Sequence, residues 1–195
     1  MDLKHLLSKE IAEGIIATGV EGKYNSVSCS TAGNYPSMGV SQWEGERGDN
    51  LLSWIDAGRK FIGRSYTNII EAGELQELQN VLSSPQGQRA QREILTSDCL
   101  AYTETLMPLI ADSKCVIYAG IWCPTSTMVV EIFVKNRIKW GYDVNSLEVL
   151  RNVFRDQYWK AADVGEEYRQ GYANRAENTY QYLLNHNIDW SVLDV

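Results

Sequence analysis

Glu21-Gly22-Lys23-Tyr24 and, further on, Ser37-Met38-Gly39-Val40-Ser41-Gln42-Trp43 are the stretches on which the reading of this chain turns. Ahead of the first, Leu3, Leu6, Leu7, Ile11, Ile15 and Ile16 recur at steps of three and four residues until Gly19 interrupts the pattern. That is the period of an amphipathic helix, which therefore ends just before Glu21. From Asn25 to Gln42 the chain turns to Ser, Thr, Asn, Gly and Pro, with β-compatible pieces around Ser26–Cys29 and Met38–Ser41. The composition predicts a small hairpin lobe directly after the first helix.

The remainder reads as one helix after another. Asp49 is placed to cap a short helix carrying Leu51, Leu52, Trp54 and Ile55, stopped by Gly58. Ile69, Ile70, Leu75, Leu78 and Leu82 mark another, weakened by Gly73. Ser84-Pro85 starts a third, expected to run to about Leu106 and to be closed by Pro108. Proline fits a first helical turn because the N–H it lacks would have no partner there. Val116–Val134 is the most apolar stretch and is read as a buried central helix broken at Pro124. Asn145 with Glu148 forms a capping-box pattern before Leu147, Leu150, Val153 and Phe154. A last helix, about Asn174 to Asn185, is expected to bury Tyr180, Leu183 and Leu184. The expected fold class is mainly α (α+β), a single domain over residues 1–195 with a minor β element near the N-terminus.

Composition narrows the function classes. The 195 residues are 44% apolar with a net charge of −7, and no Lys/Arg run builds the basic stripe that a phosphate backbone requires, so nucleic acid is not an expected partner. No basic segment followed by an apolar one opens the chain, and no run of about 18 apolar residues occurs. The protein is expected to be made in the cytoplasm without a signal peptide and not to engage a membrane. Cys29, Cys99, Cys115 and Cys123 show no CxxC spacing, and His5 and His186 lie far apart, so neither a metal nor a cofactor is expected. Thiols buried without a disulfide are the favoured state of the cysteines. Gly19, Gly22 and Lys23 lack the spacing and the Ser/Thr of a phosphate loop, no GxSxG elbow exists, and the scarcity of histidine disfavours a Cys-His peptidase.

Glu21 is the residue with chemistry to offer. At the C-terminal end of a helix, unsatisfied carbonyls disfavour a carboxylate, and partial burial against Tyr24 and the hairpin acts in the same direction. Both keep a carboxyl protonated, as a proton donor to a departing sugar oxygen must be. A solvated glutamate in a helix-ending turn is the alternative on position alone. An acid ending a helix, then a polar hairpin, then Ser-x-Gly-x-x-Gln resembles the signature of lysozyme-like transglycosylases and goose-type lysozymes. The longer string Ser37–Gly45, with Arg47 and Leu51-Leu52, resembles glycan hydrolases of phage endolysins from Gram-positive hosts, a group related to chitosanases. The likeness covers about residues 10–60, and Gln91, Gly171-Tyr172 and Asn174-Arg175 before Thr179-Tyr180 extend it loosely.

The resemblance implies a lysozyme-like helical domain, a glycosidase of muramidase or endolysin type, and peptidoglycan glycan strands as the partner of a monomer that acts at the cell wall after release. It implies Glu21 as general acid and Gly39–Gln42 as the segment closing the hairpin beside the glycan. Ser37, Ser41 and Gln42 are then substrate-binding candidates, the last two hydrogen-bonding N-acetyl groups or a water, with Tyr24 packed against the acid. Trp43 is placed near a cleft, while Trp122, Trp140, Trp159 and Trp190 default to packing. One departure stands out: the group often carries an Asp in the hairpin, and the matching position is approximately Ala32, with no Asp or Glu between Glu21 and Glu44. A second carboxylate would stand roughly 5–5.5 Å from the acid for retention and 6.5–9.5 Å for inversion. Glu44, Glu46 or Asp49 supplies it, or a single glutamate works alone with the substrate's own hydroxyl attacking, as in lytic transglycosylases. Glu44 and Glu46 read equally as solvated turn charges, and Asp49 as a helix cap. A chitosanase-like hydrolase and a non-catalytic glycan-binding or phage structural protein are the other readings.

Overall fold

In a computed structural model of the chain, which describes residues 1–19, 22–124, 126–159 and 165–193, helices dominate and the strands form one small antiparallel pair. The elements run α1 (Leu3–Thr18), β1 (Val27–Cys29), β2 (Pro36–Met38), α2 (Gly45–Ser53), α3 (Tyr66–Glu71), α4 (Leu75–Ser83), α5 (Pro85–Leu106), α6 (Ser113–Trp122), α7 (Thr127–Lys139), α8 (Leu147–Arg155) and α9 (Glu166–Asn185). The mainly α class with a β-hairpin is therefore as the periodicity predicts. The chain divides into two compact units, Met1–Val20 with Thr96–Val195, and Glu21–Leu95.

In the first unit, α1 forms because both of its ends are capped. The Asp2 carboxylate accepts the His5 amide at 2.8 Å, and Gly19, at φ +62°, donates its N–H to the Ile15 carbonyl at 3.0 Å. The stripe Leu6, Leu7, Ile11 and Ile15 is at most 1% exposed and packs against α6 and α9. Every residue of α6 from Cys115 to Trp122 is buried, which makes it the central helix. A Cβ on Gly14 would stand 2.1 Å from Ile121 Cδ1, and one on Gly120 2.7 Å from Ile11 Cδ1, so the small residues let α1 and α6 approach. Trp122 stacks on Phe154 of α8 at 4.3 Å, and the Tyr118 hydroxyl donates to the Ala176 carbonyl of α9 at 2.9 Å. Each such buried aromatic removes a large apolar area from water while its polar tip finds a partner.

The second unit holds the hairpin, with register Val27↔Met38, Ser28↔Ser37 and Cys29↔Pro36, and the helices that support it. Asn34 in the hairpin loop accepts the Tyr66 amide through its carbonyl at 3.0 Å and the Thr67 amide through its side chain at 3.0 Å. The loop is thereby fastened to the start of α3. Leu51, Leu52, Phe61, Ile69, Leu78 and Leu82 are fully buried in the same unit.

Several sequence expectations shift. The second strand is Pro36–Met38, not Met38–Ser41, because Gly39 at φ +71° turns the chain into a 3-10 turn over Gly39–Ser41. The helix expected after Asp49 starts earlier, at Gly45, and ends at Ser53, so Asp49 is interior and not its cap. Gly73, at φ +69°, does not merely weaken the next helix but divides it into α3 and α4. Ser146 rather than Asn145 caps α8, accepting the Val149 amide, while the Asn145 side chain accepts the Ala111 and Asp112 amides. Helix α9 begins at Glu166, Leu184 on it is exposed, and Tyr180 is only half-buried. Trp140, Trp159 and Trp190 are exposed where packing was expected, and Trp122 is buried as expected. All four cysteines keep their thiols, buried at Cys99, Cys115 and Cys123 and exposed at Cys29, and burial pushes the Cys99 and Cys115 thiols up, holding them neutral. Among the described residues no helix is long and apolar enough to cross a membrane, and no group of three or more His, Cys, Asp or Glu could hold a metal ion.

One hydrogen bond ties α1 to the end of α9. Glu10, 8% exposed, meets His186 Nε2 at 2.6 Å, with the Tyr182 ring stacked on the imidazole at 4.8 Å. Removing the imidazole leaves the buried Glu10 side chain without this partner. His186→Ala should therefore cost about 1–3 kcal/mol, read as a lowered midpoint in urea unfolding. An unchanged midpoint would mean that solvent replaces the pair.

Candidate functional site

The local geometry begins at Gly39. With β2 ended there, the chain passes through the 3-10 turn and reverses at Gln42, so that Met38 and Trp43 exchange both backbone hydrogen bonds, each 2.9 Å. Gln42 makes the reversal at φ +50°, and it is the one non-glycine residue with positive φ among the described residues. For a residue with a Cβ this conformation costs about 1–2 kcal/mol, and such strain persists only where the surroundings fix it.

Gln91, on α5, does much of the fixing. Its side chain is fully buried, and its Oε1 accepts the Val40 amide at 3.1 Å. Its Nε2 donates to the Tyr24 carbonyl at 3.2 Å and to the Leu82 carbonyl at 2.9 Å. A Cβ on Gly39 would lie 2.3 Å from Oε1, so only glycine admits the amide at that distance. Further bonds join the same two segments. The Gly39 amide donates to the Ser26 carbonyl at 2.8 Å, the Lys23 amide to Ser26 Oγ at 2.8 Å, and a Cβ on Gly22 would lie 2.6 Å from the Gly39 carbonyl oxygen. The segment that directly follows Glu21 in sequence is thus knotted to the Gly39–Gln42 turn. Glu21 itself lies outside the described residues.

The remaining candidates divide into those at the knot and those away from it. Tyr24 is half-buried, its hydroxyl accepts from Arg92 Nε at 2.7 Å, and the guanidinium lies 5.9 Å from the ring centroid. Ser37, 5% exposed, spends its hydroxyl on the Gln42 carbonyl at 3.2 Å and so braces the turn rather than facing a ligand. Ser41 is half-buried and Gln42 exposed, which leaves these two on the solvent side of the turn. Trp43, expected beside a cleft, is instead 1% exposed, because the bridge to Met38 turns its ring inward against Gly39. It forms the floor of the turn and offers no stacking face.

Three carboxylates follow. Glu44 occupies the position before α2 and is half-buried, without a capping hydrogen bond from its side chain. Glu46 and Asp49 are brought together on a hollow of about 230 Å³, with Tyr35, Gly63, Arg64 and Ser65 among its walls. Asp49 Oδ1 accepts the Gly63 amide at 2.9 Å, and the Arg64 guanidinium bonds Glu74. The pocket therefore presents acidic oxygens to solvent beside a cation already held by another acid.

Sequence reading gave Gln91 no structural role. The signal for one is its spacing, since Gln91 stands three and four residues before Ile94 and Leu95 on the buried face of α5. A polar residue on an apolar stripe must find partners inside. Gln91→Met keeps the volume and removes all three hydrogen bonds, and should cost about 3 kcal/mol. Hydrogen exchange at the Val40 amide should accelerate more than exchange in α6, and uniform acceleration would contradict a local anchoring role.

Compared with family models, curated proteins and solved structures, the chain matches none.

Proposed function

We propose that the chain is a lysozyme-like glycosidase that cleaves the glycan strand of bacterial peptidoglycan, with Glu21 as general acid. The observation that carries this reading is the Gln91 knot, which joins the segment after Glu21 to the turn bearing Ser41 and Gln42. An acid that precedes this segment in sequence, with a strained, amide-bearing turn tied to the segment, suits acetamido sugars. Glu21 gives its proton to the departing glycosidic oxygen as the C1–O bond breaks, and the hydroxyl of Ser41 and amide of Gln42 hydrogen-bond the neighbouring acetamido group.

In hydrolysis, water then adds to C1 and a second carboxylate takes its proton. Glu46 and Asp49, already gathered on one pocket, are the carboxylates offered for that role, with Glu44 beside them in sequence. A second reading draws support from the hairpin, which carries no carboxylate, and from Asp49, whose Oδ1 is occupied by Gly63. There the sugar's own hydroxyl attacks C1, its proton passes to the Glu21 carboxylate, and an anhydro product leaves.

Two outcomes follow. Purified protein should clear a suspension of Gram-positive cell walls, and Glu21→Gln should slow clearance by about 10²-fold or more, the usual worth of a general acid. Full activity in that variant would remove the assignment. Gln42→Gly relieves about 1–2 kcal/mol of backbone strain and adds about 0.5–1 kcal/mol of glycine entropy, so its melting temperature should rise slightly while clearance falls. A variant with wild-type clearance would show that the Gln42 amide does not touch the glycan.

A further inference from the structure

We propose that one face of α9 forms a binding track for a strand of acetamido sugars. The proposal rests on the glycosidase reading for its choice of ligand, and its location rests on the geometry of α9 alone.

Two hollows, of about 610 Å³ and 510 Å³, adjoin along this helix and share Thr18 and Asn178 in their walls. Tyr168, Tyr172 and Arg175 line the first, Tyr182 and His186 the second, and Asn178 stands between them. The five helical positions recur at steps of three and four residues, so they occupy a single helix face, and His186 follows directly at the helix's C-terminal cap. At about 1.5 Å per residue the face extends over roughly 27 Å, long enough for several pyranose rings in a row. Thr18 and Gly19, which line the first hollow, precede Glu21 by three and two residues in sequence.

The chemistry along the face alternates. At one end the Tyr168 ring is 56% exposed, 4.9 Å from Tyr172 centroid to centroid, with their hydroxyls 3.3 Å apart. Tyr172 is held from behind by Tyr158 at 4.3 Å and Trp122 at 5.7 Å, so its ring has a fixed plane. The Arg175 guanidinium lies 5.0 Å from the Tyr172 centroid and donates to the Trp122 carbonyl at 3.4 Å. At the other end, Tyr182 and His186 stack within 16° of parallel, and Glu10 fixes the imidazole. Between the ring pairs stands the exposed Asn178 amide.

Fixed flat rings match the C–H faces of pyranoses, and an amide and a guanidinium between them match acetamido carbonyls and ring hydroxyls. Tyr172 and the Tyr182–His186 pair are packed in place before any ligand arrives, which lowers the ordering cost of binding. A nucleic acid strand does not fit, because Glu167 lines the first hollow with Arg175 and, among the described residues, no row of cations lines the two hollows.

The test is an NMR titration of the full chain carrying Glu21→Gln, with the tetramer of N-acetylglucosamine and with cellotetraose, which lacks the acetamido groups. The acetamido tetramer should shift the α9 resonances saturably, and cellotetraose should bind at least about fivefold more weakly. Tyr168→Ala and Asn178→Ala, both at exposed positions with melting temperatures expected to be unchanged, should each weaken the tetramer by about fivefold. Tyr168→Phe should restore affinity. Absence of saturable shifts on α9, or equal binding of cellotetraose, would overturn the track. Wall clearance is scored separately with the wild-type chain: clearance without α9 binding removes the track alone, and α9 binding without clearance removes the catalytic reading alone.

Discussion

A buried primary amide constrains a structure more sharply than an apolar side chain, because it has directions to satisfy. Gln91 places one acceptor and two donor contacts on backbone groups of three separate segments, at Val40, Tyr24 and Leu82. Leaving any of them unpaired inside the protein costs more than the bond contributes when made. The loop after Glu21, the turn of the hairpin and the end of α4 therefore have to meet at one place. The positive φ of Gln42 is tolerable only because its neighbours Val40 and Trp43 are pinned, one to Gln91 and the other to Met38. The strained residue lies within the motif that the glycosidase reading depends on, and the anchor reaches that motif from α5.

In the proposed reaction the acid and the amide-bearing turn supply proton transfer and orientation, while the second carboxylate decides between water and the sugar's own hydroxyl as the attacking group. Glu46 and Asp49 share a pocket, yet Asp49 already accepts a backbone amide and the hairpin offers no acid of its own. The proposed α9 track would add the affinity that a net charge of −7 withholds from an anionic polymer. Recognition through rings and amides does not depend on long-range attraction, which suits an acidic chain.

Local signals in the sequence mark the elements well. The α1 stripe with Gly19 at its end, Ser84-Pro85 opening α5, and Pro124 between α6 and α7 each act over a few residues, and each appears where expected. What escaped depends on partners far away in the chain. β-Alternation cannot show that Gly39 adopts positive φ beneath the Gln91 amide, so the second strand was expected too late. Trp43 looks like a cleft residue from its neighbours, and only the bridge to Met38 turns it inward. The early start of α9 was hidden because Tyr168 and Tyr172 line a hollow instead of a core stripe, leaving no apolar period to read. Asp49 carries the composition of a cap, but its carboxylate bonds Gly63, beyond the reach of any local rule.

The central claim, that this fold breaks a bond between sugars with Glu21 as acid, meets its most direct test in mass spectrometry of purified peptidoglycan digested by the wild-type chain and by Glu21→Gln. The account predicts soluble muropeptides with new reducing ends, or anhydro ends if the sugar's own hydroxyl attacks, and neither from the variant. Glycan strands left intact by the wild-type chain, or products cut only at amide bonds, would contradict it.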